Sequence, residues 1–107
     1  MAAVNMNQQQ FQHLMEEGKA VLVDFWAPWC TYRRRIGPAF DKVAQQHGRE
    51  LVVVKTNIDE EPLLANQEMI EVIPTLVMYQ NGKAIGSIVA PESKAMIDAF
   101  ILDTLKR

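Results

Sequence analysis

Cysteine is nearly absent from this chain of 107 residues, which has one, Cys30. No internal disulfide can form, so the apolar core alone must hold the fold together. A single thiol, and an N-terminus without a basic start and apolar stretch, predict a cytoplasmic protein in a reducing compartment. The two histidines, His13 and His47, stand apart and make no zinc-binding spacing with one cysteine, so we expect no metal.

The chain also has few glycines and prolines and little net charge. Five glycines and five prolines without a repeat exclude a fibrous protein, and 49% hydrophobic residues exclude a disordered one. Eleven basic and thirteen acidic residues leave a net charge of -2, which creates no field that attracts nucleic acid or an anionic membrane. No apolar run reaches the length of a membrane span. We therefore expect one domain over residues 1–107 that binds neither nucleic acid nor membrane.

Helical and strand patterns alternate along the chain. Asn7 and Gln10 predict a capped first helix that stops at Gly18, and Asn81-Gly82 predicts a hairpin. Strands are predicted at 20–26, 51–56, 75–79 and 84–89, and further helices at about 30–47 with a kink at Pro38, after Pro62 and after Ser93. This order predicts an α/β fold, a three-layer α/β/α sandwich with a mixed sheet.

Cys30 lies where a buried strand leads into a helix. Backbone amides at a helix N-terminus favour an anion, and a thiol placed there beside a cation is more ionised than a free thiol. Arg33 and Arg34 follow three and four residues later, on the helix face of Cys30. We predict a nucleophilic thiol, although a lone cysteine is more often a small buried hydrophobe. The run 33–35 is interpreted as a solvated helix face, not as a nucleic-acid site.

Several short motifs occur in a fixed order. They are Val23-Asp24-Phe25-Trp26-Ala27-Pro28-Trp29-Cys30, Pro38, Lys55, Asp59, Ile73-Pro74-Thr75 and Asn81-Gly82. Each is weak alone, but together the chain resembles the thioredoxin family over nearly its whole length. The resemblance implies a thioredoxin fold, thiol–disulfide exchange with protein substrates, and a cis Ile73–Pro74 bond that faces Cys30 across a substrate groove.

The resemblance also implies roles for the residues around the thiol. Lys55 and Pro38 would support the site, and Trp29 matches the family's exposed tryptophan, whereas Trp26 is expected in the core. For Tyr32, covering an apolar patch, narrowing the groove and stacking on a ligand all stay open. The residues expected to contact substrate are Trp29, Thr31, Tyr32, Ile73, Pro74 and Thr75.

One position departs from the family pattern. Thioredoxins carry Trp-Cys-Gly-Pro-Cys, whereas here Thr31-Tyr32 replaces the Gly-Pro pair and Arg33 replaces the second cysteine. In the family's dithiol cycle the second cysteine attacks the mixed disulfide and releases the substrate, a step that Arg33 cannot perform. Release would then need an external thiol, such as glutathione or a cysteine of the substrate.

Asp24 matches the family's buried aspartate, which is associated with proton transfer at the missing cysteine. A buried carboxylate is costly unless a cation is near, and Arg33 and Lys55 are the available cations. We predict that Cys30, Arg33 and Asp24 form the catalytic group, with Arg33 shared between the other two. The more Arg33 engages the aspartate, the less it activates the thiol.

Four functions are open at this point. The first is a monothiol exchange protein in cell redox homeostasis, with no bound cofactor and with glutathione or a thioredoxin reductase as the candidate reductant. The second is a non-catalytic binding or redox-sensing module, and the third a dithiol thioredoxin whose second cysteine was replaced by Arg33. The fourth is an iron–sulfur protein like single-cysteine glutaredoxins, which the sequence around Cys30 does not resemble.

Overall fold

The structure is a computed structural model that describes residues 3–30 and 32–105, with the side chains of all of these except residues 32–35. This part of the chain forms five strands and four helices. In chain order they are β1 (Val4–Asn5), α1 (Gln8–Glu17), β2 (Val21–Trp26), α2 (Tyr32–His47), β3 (Val52–Asn57), α3 (Pro62–Gln67), β4 (Thr75–Gln80), β5 (Lys83–Val89) and α4 (Lys94–Leu105).

The five strands form one mixed sheet in the order β1-β3-β2-β4-β5. Strand β3 is parallel to both β1 and β2, whereas β4 is antiparallel to β2 and β5. Strand β1 was not predicted, because two residues are too few to show an alternating pattern. Pairing of Val4 with Val54 holds this short strand in the sheet.

Helices cover both faces of the sheet. Leu22 of β2 packs with Phe40 of α2 and Ile97 of α4 on one side, called here the α2/α4 face. Val23 packs with Phe11 of α1, and with α3, on the other, the α1/α3 face. Successive strand residues point to opposite faces, so a strand covered on both sides is apolar at nearly every position. The predicted three-layer sandwich is confirmed.

The predicted end signals are also confirmed. The Asn7 side chain accepts a hydrogen bond from the backbone N–H of Gln10, and α1 ends at Gly18 with a left-handed φ of 73°. Asn81 and Gly82 both have positive φ, 55° and 76°, as a two-residue hairpin turn requires. The Ser93 hydroxyl accepts a hydrogen bond from the backbone N–H of Met96 at 3.2 Å, which caps α4.

Helix α2 begins at Tyr32, two residues later than predicted. Its residues Ile36, Phe40 and Val43 are buried and recur at helical spacing, so they form one apolar face. Pro38 lies inside the helix and has no N–H to donate to the preceding turn. The kink predicted there stays a prediction. Among the described helices, none is both long and apolar enough to cross a bilayer.

Candidate active site

A tight turn carries the chain from β2 to Cys30. The backbone N–H of Cys30 donates to the carbonyl of Ala27 at 3.0 Å, which closes a four-residue turn with Pro28 in its second position, where proline is favoured. Cys30 then stands two residues before α2 and is partly exposed. This is the location of a thiol that a substrate can reach, and not that of a core cysteine.

Trp29, next to the thiol, projects into solvent. Its side chain is 66% exposed, and its Nε1–H donates to Oδ1 of Asp59 at 3.3 Å. Asp59 is itself held in place, because its backbone N–H donates to the Asn57 side chain at 2.9 Å. Trp26 is buried, as expected. The Asp59 contact therefore fixes the orientation of an exposed aromatic ring beside Cys30.

The Ile73–Pro74 bond is cis, which confirms the expectation from the resemblance. It comes just before β4, where Thr75 pairs with Phe25 near the end of the antiparallel strand β2. The carbonyl of Pro74 accepts a hydrogen bond from the N–H of Ala90 at 2.9 Å. The Thr75 hydroxyl donates to the carbonyl of Val72. The cis-proline segment thus lies at the end of the sheet where β2 stops, and a groove between it and Cys30 stays a prediction.

Asp24 is a buried acid in β2. It is 4% exposed and points to the α2/α4 face, since Leu22, two residues earlier, does so. In the sheet it pairs with Lys55 of β3 on one side and Leu76 of β4 on the other. Neighbouring strands are about 4.8 Å apart, so the structure places Lys55, one of the two predicted cations, beside Asp24.

The other predicted site residues fall at the start of α2. Thr31 and the side chains of Tyr32 and Arg33 lie outside the described residues. The substrate contacts predicted for Thr31 and Tyr32 stay predictions, as does the sharing of Arg33 between Cys30 and Asp24. In the described part of the chain, no group of three His, Cys, Asp or Glu side chains is placed to hold a metal ion.

Two residues of this region had no assigned role in the sequence analysis. Asp59 was only part of the family resemblance, and its contact with Trp29 spans 30 positions of the chain. Ala90 holds the Pro74 carbonyl from a left-handed conformation, φ 44°. Alanine gives no turn signal, so no local pattern could have marked it.

Known proteins share both the sequence pattern and the architecture. The family model described as thioredoxin matches residues 2–103. The chain is similar to thioredoxin 1 of Synechococcus elongatus, 41% identical over 86 residues that cover 80% of each chain. It is also similar to the thioredoxin of Alicyclobacillus acidocaldarius, 32% identical over 98% of this chain and 100% of that one. The solved structure of Malassezia sympodialis thioredoxin superposes with a TM-score of 0.86, at 29% identity, over 97% of this chain and 92% of that one.

The family model covers the whole site described above. The matched range contains β2, the turn to Cys30, the start of α2 and the cis-proline segment. Protein thiols and disulfides are therefore the general substrate class. The chain belongs to the thioredoxin family of thiol–disulfide oxidoreductases.

Proposed function

We propose that this protein exchanges thiols and disulfides as a monothiol, with Cys30 as its nucleophile and an external thiol as the resolving group. The observation that carries the proposal is the position of the chain's one cysteine. It is partly exposed, follows the turn that ends β2, and lies beside the exposed ring of Trp29. A structural cysteine has no need of this placement.

The first step is attack of the Cys30 thiolate on one sulfur of a substrate disulfide. A new S–S bond forms between Cys30 and the substrate, the substrate's own S–S bond breaks, and its second sulfur leaves as a thiolate. A glutathione thiolate then attacks Sγ of Cys30, which releases the reduced substrate and leaves glutathione on Cys30. A second glutathione frees Cys30 and forms oxidised glutathione. The substrate gains two electrons and two glutathiones lose one each.

The residues around Cys30 have distinct roles in this proposal. Trp29, oriented by Asp59, and Pro74 shape the surface that receives the substrate, together with Thr31, Tyr32, Ile73 and Thr75. Arg33, three residues after the thiol, favours its ionised form. Lys55, opposite Asp24 on the adjacent strand, is the second cation of this region, so the buried carboxylate does not depend on Arg33 alone. The single cysteine also supports a reducing, cytoplasmic location.

A second candidate function rests on the arginine at the second-cysteine position. Without a resolving thiol, a mixed disulfide on Cys30 persists until another thiol arrives. The same site would then act as a binding or redox-sensing module that holds a partner covalently. If Arg33 replaced a cysteine of a dithiol thioredoxin, the parent activity would need only that cysteine to return.

The number of substrate disulfides reduced per protein molecule distinguishes these functions. The protein is incubated with a protein disulfide and excess glutathione, and, in a parallel arm, with a thioredoxin reductase and its reductant. Monothiol exchange predicts many substrate disulfides reduced per protein molecule with glutathione, and none with Cys30→Ser. One adduct per molecule without turnover supports the binding module. No adduct and no turnover would overturn both.

A further inference from the structure

A groove of about 480 Å³ lies next to the cis-proline segment. One wall is the connection 68–72 between α3 and β4, and the floor is formed by β4 and β5. The side chains used below line it, namely Glu68, Met69, Glu71, Val72, Thr75 and Val89. No lysine, arginine or histidine is among the described residues that line it.

The groove exists because α3 is short. Register pairs Thr75 with Val89 and Val77 with Ser87, and Val77 packs on the α1/α3 face, so these four positions share that face. Helix α3 has six residues and contributes Leu64 to the core of that face. Strand β5 lies at the edge of the sheet, and its residue Val89 is 51% exposed. The outer part of the sheet is therefore open to a ligand.

Apolar and acidic groups alternate around this opening. Met69 is 81% exposed and Val72 54%, which is unusual for large apolar side chains so close together. Glu68 is fixed, because it accepts a hydrogen bond from the Tyr79 hydroxyl at 2.8 Å. Burial, with this bond and the negative charge of Glu68, raises the pKa of Tyr79 far above its usual range. Glu71 is exposed and forms no ion pair with any described residue.

Backbone conformation holds the groove at two points. Met69 has φ 56° and Ala90 has φ 44°, in the left-handed region that costs energy for residues with a Cβ. Met69 ends the turn that follows α3, where its backbone N–H donates to the carbonyl of Asn66. The backbone N–H of Ala90 donates to the carbonyl of Pro74. Strained residues that persist on a surface often belong to a binding site. Ala90, through its bond to the Pro74 carbonyl, links the groove to the cis-proline segment.

We propose that this groove binds the polypeptide segment flanking the reactive cysteine of the substrate, and that it selects segments carrying apolar side chains with a lysine or arginine. This inference rests on the proposed function, since it assigns substrate preference to the same site. The long aliphatic stem of a basic residue packs on Met69 and Val72, while its positive end group lies near the carboxylates of Glu68 and Glu71. An acidic segment meets two like charges there.

Activated peptide disulfides test this preference. Each short peptide contains one cysteine, blocked as a disulfide with the neutral leaving group 2-thiopyridine, and lysine or glutamate at one of six positions on either side of it. The rate of leaving-group release measures attack by Cys30. At low salt we expect the lysine peptide to react about two- to five-fold faster than its glutamate partner at one or more positions. The ratio should approach one in about 1 M salt, where charges are screened within about 3 Å.

Two variants locate the effect. Glu71→Gln should lower the lysine-to-glutamate ratio toward one. Glu16→Gln, which removes an exposed charge on α1, should leave the ratio unchanged. A ratio of one at every position in the unaltered protein, or an unchanged ratio in Glu71→Gln, would overturn the inference. Peptides that all react equally with Cys30 would leave the proposed function intact.

A binding measurement separates the groove from the thiol chemistry. A cysteine-free lysine peptide is titrated into Cys30→Ser protein while backbone amide chemical shifts are recorded. We expect the largest shifts at 68–72 and 87–90. Shifts confined to other parts of the chain would contradict the groove, whatever the outcome at Cys30. Failure of Cys30 to react with any peptide or with a small neutral disulfide would contradict the proposed function instead.

Discussion

Asp24 and Lys55 lie opposite each other on adjacent parallel strands, on the α2/α4 face of the sheet. The carboxylate is buried and the lysine is half-buried, so each charge is partly removed from water. Burial of this kind is tolerated when an opposite charge is close. Register therefore places a lysine opposite Asp24, on the same face of the sheet.

Lys55→Met should destabilise the protein by about 1 kcal/mol, since the buried Asp24 carboxylate loses a positive charge on the adjacent strand. The loss should be clearly smaller when Asp24→Asn is already present, because the amide carries no charge to compensate. Urea unfolding of the two single variants and the double variant measures this coupling. Lys42→Met, an exposed position on α2, serves as the matched control. Additive effects would show that the two side chains do not interact.

The Trp29–Asp59 hydrogen bond should affect reactivity more than stability. Both residues are exposed, so Asp59→Ala should change the free energy of unfolding by no more than about 0.5 kcal/mol. The ring of Trp29 loses its fixed orientation, and attack of Cys30 on a peptide disulfide should slow by several-fold. The neighbouring exposed variant Glu60→Ala should react at the normal rate. Equal rates for the two variants would remove Asp59 from the site.

Asp98 should make stability depend on acid pH. Its partial burial raises the pKa of the carboxyl, but hydrogen bonds from Lys94, at 2.6 Å, and from His47, at 3.1 Å, outweigh this and hold the pKa below its usual value. The pKa of this carboxyl is lower in the folded protein than in the unfolded chain, where it is about 3.9. The ionised carboxylate therefore stabilises the fold at pH values above the unfolded-state pKa, and this stabilisation is lost as the pH falls through the folded-state pKa.

Asp98→Asn should consequently lower the free energy of unfolding at pH 7 and change it little at pH 2–3. The difference should be modest, about 0.5–1 kcal/mol, because solvent screens this partly exposed cluster. Denaturant unfolding across this pH range measures it, with Asp103→Asn, an exposed position on the same helix, as the control. An equal loss at both pH values would contradict the assigned ion pair.

Arg33→Cys should restore the dithiol cycle. The new thiol lies three residues after Cys30, as in the family motif, and can attack the mixed disulfide within the same molecule. Reduction of a protein disulfide by the prereduced variant should then proceed without glutathione, whereas the unaltered protein and Arg34→Cys should stop at the adduct. No gain of activity would mean that other parts of the site have also diverged.

The fold was largely predictable because its signals are local. The capping pair Asn7–Gln10, the Asn81-Gly82 turn and the apolar run of β2 each act within a few residues, and they placed most elements within two positions. Strand β1 was missed because its only support is pairing with a strand some 50 residues away. The start of α2 was two residues off, since periodicity does not define a helix end.

The site was predictable in its residues but not in its contacts. The motifs placed Cys30, Trp29 and Pro74 together through the family resemblance. Strand pairing decides that Lys55 lies opposite Asp24, and register depends on how whole strands pair. The groove beside Met69 follows from the shortness of α3 and from a left-handed backbone, and neither leaves a pattern in the sequence.

The most direct test of the central claim is the decay of the Cys30–substrate mixed disulfide, followed by mass spectrometry. The adduct is formed with a substrate that has no spare thiol, purified, and exposed to increasing glutathione. We predict that the adduct is stable without glutathione, that its decay rate rises in proportion to glutathione concentration, and that free Cys30 and reduced substrate are recovered. An adduct that never forms, or that decays at a rate independent of glutathione, would contradict monothiol exchange.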